Sequence, residues 1–288
     1  MCGIAGMFGV ETQKTFNAFR DLWCFNVIRG EDSAGVAAIN LQNHVKIAKA
    51  VGVPHNAMYT KQYEKIMKKN NLCYIAHTRY RTIGDISQET AHPFSLGNIT
   101  GVHNGTVRNR YKLINYKEFN SDSANIFHYI DEKGIDETWL NLDGAAALVW
   151  WDKKEKTLNM LRNSERPLFF AFIGKEDQEG SCLFFASEKW MLEIATARRG
   201  LSLGTVFYPK PNMLFSFSYD KKNFMVNYKT KELEPYKFES FIQKAFDKKY
   251  ISKGKKKFYW NDNNTYKSKT DDFYRDELAK EYSYLDTN

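Results

Sequence analysis

The chain is dense with short apolar segments up to about residue 235, and this density restricts the fold more than any other feature. Segments such as "LCYIAHT", "AAALVWW" and "CLFFASE" are almost continuously apolar. Such runs are typical of strands covered on both faces, whereas half-exposed strands alternate apolar and polar residues. Helical patterns lie between some of the strands. The sequence therefore predicts an α+β protein in which two sheets pack together with helices outside.

Four segments are predicted to be helices. Residues 13–28 carry apolar residues at helical spacing, and residues 56–69 form the second predicted helix. In "SDSANIFHYIDEKG", Ser or Asp caps the start and Gly134 is the predicted stop. In "SEKWMLEIATARRG", Ser187 is the predicted N-cap and the Arg-Arg-Gly sequence marks the end.

The composition changes after Pro235. Residues 236–288 are rich in Lys, Tyr, Asp and Asn and poor in apolar residues, so we expect a partly helical appendage rather than a second core. Much of the net charge of +8 lies in residues 244–260. Such a charge run is most often a solvated basic face, and nucleic-acid binding through this tail is an alternative that we do not favour. The predicted domains are residues 2–235 and a basic, aromatic tail, 236–288.

Several classes of protein are not expected. The sequence has no apolar run of about 18 residues, so no membrane partner is predicted. It has no signal-peptide pattern, and its four cysteines lack CxxC spacing, so we expect a reduced, cytoplasmic protein. The six histidines lack ligand spacing, so no metal is expected. The abundance of Lys and Asn suits a phage or a low-GC bacterium as the source.

Cys2 directly follows the initiator methionine. If Met1 is removed, one residue carries both a thiol and an α-amine. An α-amine has a pKa near 8, far below the value of about 10.4 for lysine, so it can act as a general base near neutral pH. The sequence therefore offers a nucleophile and its base within a single amino acid.

Four further motifs follow along the chain: "IRGEDSAG", "AHTRYRTIG", "VHNGTVRN" and "NSDSANI". Each is weak when taken alone. An Asn-Gly pair is typical of a hairpin turn, and an Asp at a helix start is typical of a cap. Their order and spacing carry more information than any single motif.

Together with "CGIAG", "AHPF", "RNSERPLFFA" and "ASE", these motifs resemble the class II, or N-terminal nucleophile (Ntn), glutamine amidotransferases. The resemblance covers roughly residues 2–230. It implies a four-layer αββα Ntn-hydrolase sandwich of two mostly antiparallel sheets, here with a C-terminal appendage. It also implies hydrolysis of L-glutamine to glutamate and ammonia through a cysteine thioester, without a cofactor.

The resemblance assigns the reacting centre to three residues. Cys2 would attack the side-chain amide of glutamine, and its own α-amine would shuttle the proton to the leaving ammonia. The side-chain amide of Asn104 and the backbone N–H of Gly105 would hold the tetrahedral oxyanion. Preorganised donors of this kind are worth about 3 kcal/mol each.

The resemblance also assigns residues that bind the substrate. Arg79 would bind the α-carboxylate in bidentate fashion, and Asp122 would bind the α-ammonium. Arg29 would brace the N-terminal strand and the loop over the nucleophile. Thr82 and His103 are further candidate lining residues.

Three segments depart from the family pattern, the smallest departure being Glu31 in "RGEDSAG", where Pro or Tyr is frequent. Many members have histidine where this chain has Ile83, which removes a polar contact near the mobile lid. "RNSERPLFF" lacks the usual Asp-Pro and Gly of "RDPxGxRPL", so that turn is expected to be reshaped. None of these departures touches the predicted nucleophile, oxyanion donors or charge partners.

The sequence has no P-loop, Rossmann fingerprint or phosphoribosyltransferase segment that would consume the ammonia. We therefore expect the acceptor site on a separate synthetase subunit. Two alternatives stay open: an Ntn hydrolase acting on another amide or γ-glutamyl compound, and a catalytically silent binding module that uses the basic tail.

Overall fold

The computed structural model describes residues 1–67, 71–81, 85–173 and 182–237. Nearly all of the predicted tail, residues 236–288, lies outside the described residues. In chain order the strands are β1 (Gly3–Gly9), β2 (Ser33–Asn40), β3 (Val45–Val51), β4 (Asn71–Arg79), β5 (Phe94–Leu96), β6 (Ile99–Val107), β7 (Gly144–Asp152), β8 (Thr157–Arg162), β9 (Phe169–Ile173), β10 (Cys182–Ala186), β11 (Met213–Asp220) and β12 (Met225–Glu232).

The strands form two six-stranded sheets, with the order β3-β2-β4-β1-β10-β9 in the first and β12-β11-β8-β7-β6-β5 in the second. Every pairing within these sheets is antiparallel along the described residues. The strand β1, which carries the start of the chain, therefore lies at the centre of the first sheet, between β4 and β10.

Five α-helices accompany the sheets in the described part of the chain. They are α1 (Gln13–Phe25), α2 (Pro54–Met58), α3 (Lys61–Met67), α4 (Asp122–Asn141) and α5 (Lys189–Ala197). A short 3-10 turn, Asn26–Arg29, follows α1 directly. Among the described residues, none of the helices combines the length and the apolar character needed to cross a bilayer.

The elements stack in four layers. Helices α1, α2, α3 and α5 cover the outer face of the first sheet, and α4 covers the outer face of the second. The two inner faces share a core that includes Phe8, Trp151, Phe170 and Phe217. The predicted αββα sandwich of two antiparallel sheets is confirmed.

The first helix shows why the sequence folds in this way locally. Its N-cap is Thr12, whose hydroxyl accepts a hydrogen bond from the Thr15 N–H at 3.1 Å, while the Thr15 hydroxyl accepts one from the Thr12 N–H at 2.8 Å. This reciprocal pair satisfies two otherwise free donors. Phe16, Phe19 and Trp23 are buried on one face of the helix, against the first sheet.

Two local predictions are wrong, and one is confirmed. Gly134 ends the first helical part of α4 as predicted: its φ of +80° is not helical, and a second helical part follows, in which the Thr138 hydroxyl donates to the Gly134 carbonyl at 2.7 Å. The segment 56–69 is not one helix, because the chain turns at Tyr59 between α2 and α3. The N-cap of α5 is Glu188, because the Ser187 hydroxyl instead accepts from the backbone N–H of β1 at 2.9 Å.

Candidate active site

Strand pairing brings Cys2 and Arg79 to the same end of the first sheet. In β1 and β4, Gly3 pairs with Thr78. Continuing that register by one residue places Cys2 opposite Arg79, the last residue of β4. Two motifs that are 77 positions apart in the sequence thus become neighbours through the antiparallel pairing of central strands.

The side chain of Cys2 lies on the face of the first sheet that meets the second sheet. Ile4 and Phe8 belong to the core between the sheets, and side chains along a strand alternate between faces. The Cys2 thiol is partly buried, and its sulfur lies 3.5 Å from the Tyr80 carbonyl oxygen, to which it donates. The sulfur is therefore held at the mouth of the space between the sheets.

The surroundings of the thiol favour its protonated form. Burial raises the pKa of Cys2 above its ordinary value, and the nearby negative charge of Asp122 adds to this effect. The positive charges of Arg79 and of the amino terminus oppose it without reversing it. A base must therefore remove the proton before the sulfur can attack.

Arg29 holds the backbone of the residue that carries the sulfur. Its Nε donates to the Cys2 carbonyl at 2.9 Å, and its guanidinium forms an ion pair with Glu188. Arg29 ends the 3-10 turn after α1, and Glu188 is the N-cap of α5. Two outer-layer elements thus fix the start of β1.

Asn104 approaches the site from the second sheet. Val102 lies in the core between the sheets, so Asn104, two residues further along β6, points the same way. Asn104 is 1% exposed, and its Nδ2 has no hydrogen-bond partner among the described residues. A buried donor without a partner is costly, which makes this amide a preformed site for an acceptor.

Gly105 fits its position only because it lacks a side chain. A Cβ at this residue would collide with the Ala145 carbonyl oxygen and come within 2.5 Å of His103 Nε2. Glycine thus lets β6 and β7 approach closely beside Asn104.

Contacts between the two sheets bring these residues together. Ile4 of β1 pairs with His77 of β4, and His77 Nε2 donates to the carbonyl of His103 in β6 at 3.1 Å. Asn104 is the next residue along β6. Cys2 in the first sheet and Asn104 in the second therefore lie just beyond the same inter-sheet hydrogen bond.

Asp122 closes the site from the helix layer. It is the first residue of α4 and is 7% exposed. Its Oδ2 accepts from the Val107 N–H at 3.0 Å, and its Oδ1 accepts from the Ser123 N–H at 2.8 Å. These bonds join the start of α4 to the end of β6 and hold the carboxylate in one orientation.

Arg79 is buried and organises the segment that follows β4. Its Nη1 donates to the Asp85 carbonyl at 2.8 Å and to the Thr90 hydroxyl at 2.9 Å. Thr82, which lies between them in sequence, and the neighbouring Ile83 are outside the described residues.

His103 lies on the opposite face of β6 from Asn104, against α4. Its Nδ1 is 3.0 Å from the Ser123 hydroxyl and its Nε2 is 3.3 Å from the Ala145 carbonyl oxygen. Burial lowers the pKa of His103, so the ring is neutral. His103 therefore contacts the scaffold behind the site rather than the space between the sheets.

Two contact residues were not identified from the sequence as part of the site. Glu188 pairs with Arg29, and Ser123 contacts both Asp122 and His103. Both belong to short motifs, "ASE" and "SDS", that the sequence analysis recognised without assigning a role. Their partners are distant in sequence or belong to another element. Among the described residues, no group of three or more His, Cys, Asp or Glu side chains is placed to hold a metal ion.

Comparison with known proteins adds independent findings. Residues 77–193 match the family model described as a glutamine amidotransferase domain. The isomerizing glutamine–fructose-6-phosphate aminotransferase of Wigglesworthia glossinidia brevipalpis is 36% identical over 148 residues, which are 46% of this chain and 23% of the relative. The corresponding protein of Sulfurisphaera tokodaii is 33% identical over 194 residues, 59% of this chain and 30% of the relative. The chain thus spans about a third or less of the length of these relatives.

Solved structures share the fold. A glutamine phosphoribosylpyrophosphate amidotransferase from B. subtilis aligns with a TM-score of 0.60 at 20% identity, covering 81% of this chain and 49% of that chain. A structure described as the allosteric regulatory enzyme of purine biosynthesis aligns with a TM-score of 0.61 at 19% identity and with the same coverage of both chains.

Proposed function

The chain carries a class II, or N-terminal nucleophile, glutamine amidotransferase domain, and from this premise we propose that it hydrolyses L-glutamine to glutamate and ammonia with Cys2 as nucleophile. The observation that most directly supports this proposal is the arrangement around Cys2. Cys2 lies in the first sheet opposite Arg79, and the buried, unpartnered amide of Asn104 belongs to the inner face of the second sheet. The site thus offers a nucleophile and a hydrogen-bond donor that has no partner among the described residues.

Removal of Met1 precedes catalysis and converts the Cys2 nitrogen into a free α-amine. That amine takes the thiol proton, and the sulfur attacks the side-chain amide carbon of glutamine. Asn104 Nδ2 and the Gly105 N–H donate to the oxyanion that forms. The amine returns the proton to the leaving nitrogen, so that ammonia departs and a γ-glutamyl thioester remains. Water then cleaves the thioester, which releases glutamate and restores the thiol.

The two charged ends of glutamine require opposite partners. We assign the α-carboxylate to Arg79, whose planar fork matches it, and the α-ammonium to Asp122. Arg29 acts by holding the Cys2 carbonyl, and thereby the nucleophile, in place. Thr82 is proposed to line the same pocket. His103 is proposed to act from behind the site, through its contact with Ser123.

The ammonia is proposed to pass to an acceptor enzyme. The names of the curated relatives describe aminotransferases that act on fructose 6-phosphate, and the part of them matched here is a third of their length or less. We propose that the acceptor site belongs to a separate synthetase subunit and that the tail, residues 236–288, contributes to docking. The four free cysteines support a cytoplasmic location for this complex.

The proposal is tested by intact-mass analysis after treatment with the glutamine affinity label 6-diazo-5-oxo-L-norleucine. We expect a mass that lacks Met1 and gains one adduct, located on Cys2. Cys2→Ala should lose the adduct and the glutaminase activity, whereas Cys24→Ala, which removes another partly buried thiol, should keep both. A retained methionine without an adduct would contradict the proposal, and a substrate panel in which glutamine is the poorest amide would favour a different Ntn hydrolase.

A further inference from the structure

Ser123 lies between two groups that serve different parts of the proposed site. Its hydroxyl oxygen is 3.0 Å from His103 Nδ1 and 3.3 Å from Asp122 Oδ1. All three side chains are buried, with residue exposures of 5% for Ser123, 1% for His103 and 7% for Asp122. The hydroxyl therefore links an imidazole to the carboxylate that we assign to the α-ammonium.

His103 continues this link to Gly105, one of the two proposed oxyanion donors in β6. Its Nε2 is 3.3 Å from the Ala145 carbonyl oxygen on β7. The same nitrogen lies so close to Gly105 that an added Cβ there would come within 2.5 Å of it. The ring thus packs directly behind the residue whose N–H is the proposed oxyanion donor.

The directions of the hydrogen bonds at the Ser123 hydroxyl follow from the number of hydrogens on each group. A serine hydroxyl has a single hydrogen, and Ser123 donates it to Asp122 Oδ1, so the hydroxyl oxygen accepts from His103 Nδ1. The neutral ring therefore carries its hydrogen on Nδ1, and its Nε2 contacts the Ala145 carbonyl oxygen without donating to it. In this arrangement the Ser123 oxygen connects the ring to the carboxylate. Removing that oxygen leaves Nδ1 buried without a partner.

We propose that Ser123 and His103 are positioning residues that set the orientation of the Asp122 carboxylate relative to Asn104 and Gly105 in β6. The inference rests on the proposed function, because it concerns how one site holds the two ends of one substrate. It predicts that the Ser123 hydroxyl matters for ligands that carry an α-ammonium and much less for ligands that lack it.

The test compares the affinities of glutamate and glutarate, which differ only in the α-ammonium, by isothermal titration calorimetry on the full chain. We expect the wild-type protein to prefer glutamate. Ser123→Ala should reduce the ratio of the two affinities by about tenfold, as the loss of a hydrogen bond to a charged group implies. Ser123→Thr keeps the hydroxyl and should restore the ratio. Ser121→Ala is the matched control, since Ser121 is the N-cap of α4 and its side chain makes no capping hydrogen bond.

Other outcomes would overturn the inference in distinguishable ways. If Ser123→Ala weakens both ligands equally, the hydroxyl only supports the fold and the inference is wrong, while the proposed function stands. If the wild-type protein binds neither ligand, the proposed function is contradicted and the inference with it. If Ser123→Ala does not fold, Ser123→Cys, which has nearly the same shape and a weaker donor, provides the same comparison, and an unchanged ratio there would also refute the inference.

Discussion

Asn104 combines burial with an unused hydrogen-bond donor. A buried amide that has no partner usually costs about 1–3 kcal/mol, so folded proteins rarely keep one without a reason. Here the donor faces the space that holds the Cys2 thiol, which supports the proposal that its acceptor is an oxyanion formed during the reaction. In this proposal, the Asn104 amide gains its hydrogen-bond acceptor only when the tetrahedral intermediate forms.

We expect Asn104→Ala to lower the glutaminase kcat by about 10²–10³-fold while changing KM little, because the donor acts on a charge that develops in the transition state. The matched control is Asn125→Ala, which removes a buried amide that donates to the Ile114 carbonyl at 2.6 Å. That variant should lose stability but keep kcat. Steady-state kinetics and urea unfolding of both variants check this prediction, and a kcat for Asn104→Ala within tenfold of the wild-type value would contradict it.

The start of β1 is anchored by elements from the outer layer. Arg29, at the end of the turn that follows α1, contacts both the Cys2 carbonyl and Glu188. Ser187 accepts from the Ile4 N–H, and its own N–H donates to the Ile4 carbonyl at 3.0 Å. Helices α1 and α5 therefore fix a strand end that would otherwise be free to fray.

Removal of the Glu188 carboxylate should weaken this anchor. The side chain of Arg29 is 7% exposed, so Glu188→Ala leaves a largely buried cation without its partner, and we expect a loss of about 1–3 kcal/mol in the free energy of unfolding. The control is Asp136→Ala. It breaks an ion pair with Lys231 whose side chains are 63% and 58% exposed, and it should cost less than about 1 kcal/mol. Urea denaturation measures the loss in the free energy of unfolding for both variants. Equal losses would show that Glu188 does not anchor the start of β1.

For the molecule as a whole, three histidines are buried in the folded protein. His77 of the first sheet donates to the backbone carbonyl of His103 in the second, and the His77 and His92 rings lie with centroids 4.0 Å apart. The His103 ring lies on the other face of β6, against α4. Burial lowers the pKa of His77 to about 3 and also lowers the pKa values of His92 and His103, so the folded protein keeps all three rings neutral.

Stability should consequently fall in mild acid. Below the ordinary histidine pKa of about 6.5, the unfolded chain binds protons that the folded protein excludes, so the free energy of unfolding decreases as the pH falls from 6.5 towards 3. Between pH 7.5 and 5.5 we expect a loss of about 1 kcal/mol for each buried histidine. Urea unfolding at both pH values measures it.

A variant pair separates the buried histidines from the rest of the chain. His92→Gln should reduce the pH dependence, whereas His55→Gln, at an exposed position, should leave it unchanged. The hydrogen bond from Arg108 lowers the pKa of the Glu165 carboxyl. Protonation of Glu165 therefore changes the stability only below the pH range measured. A free energy of unfolding that is flat between pH 7.5 and 5.5 would contradict the prediction.

The sequence by itself determined the class of fold and the resemblance to a family, because both depend on local information. Continuous apolar runs indicate buried strands whatever surrounds them, and the motifs around Cys2 and Asn104 are contiguous in the chain. Local signals also misled. The Ser187 hydroxyl does not cap α5 as its sequence position predicts, because it accepts from the backbone N–H of Ile4 in β1.

Only the tertiary structure decided how the parts of the site meet. Strand register placed Cys2 beside Arg79, and the alternation of side chains along β6 put Asn104 in the space between the sheets and His103 behind it. Pairings of Arg29 with Glu188 and of His103 with Ser123 join elements that no sequence pattern relates. The physical reason is that residue types and local periodicity can be read directly from the sequence. Strand register, and the face of the sheet on which a side chain lies, depend on packing between segments that are distant in the chain.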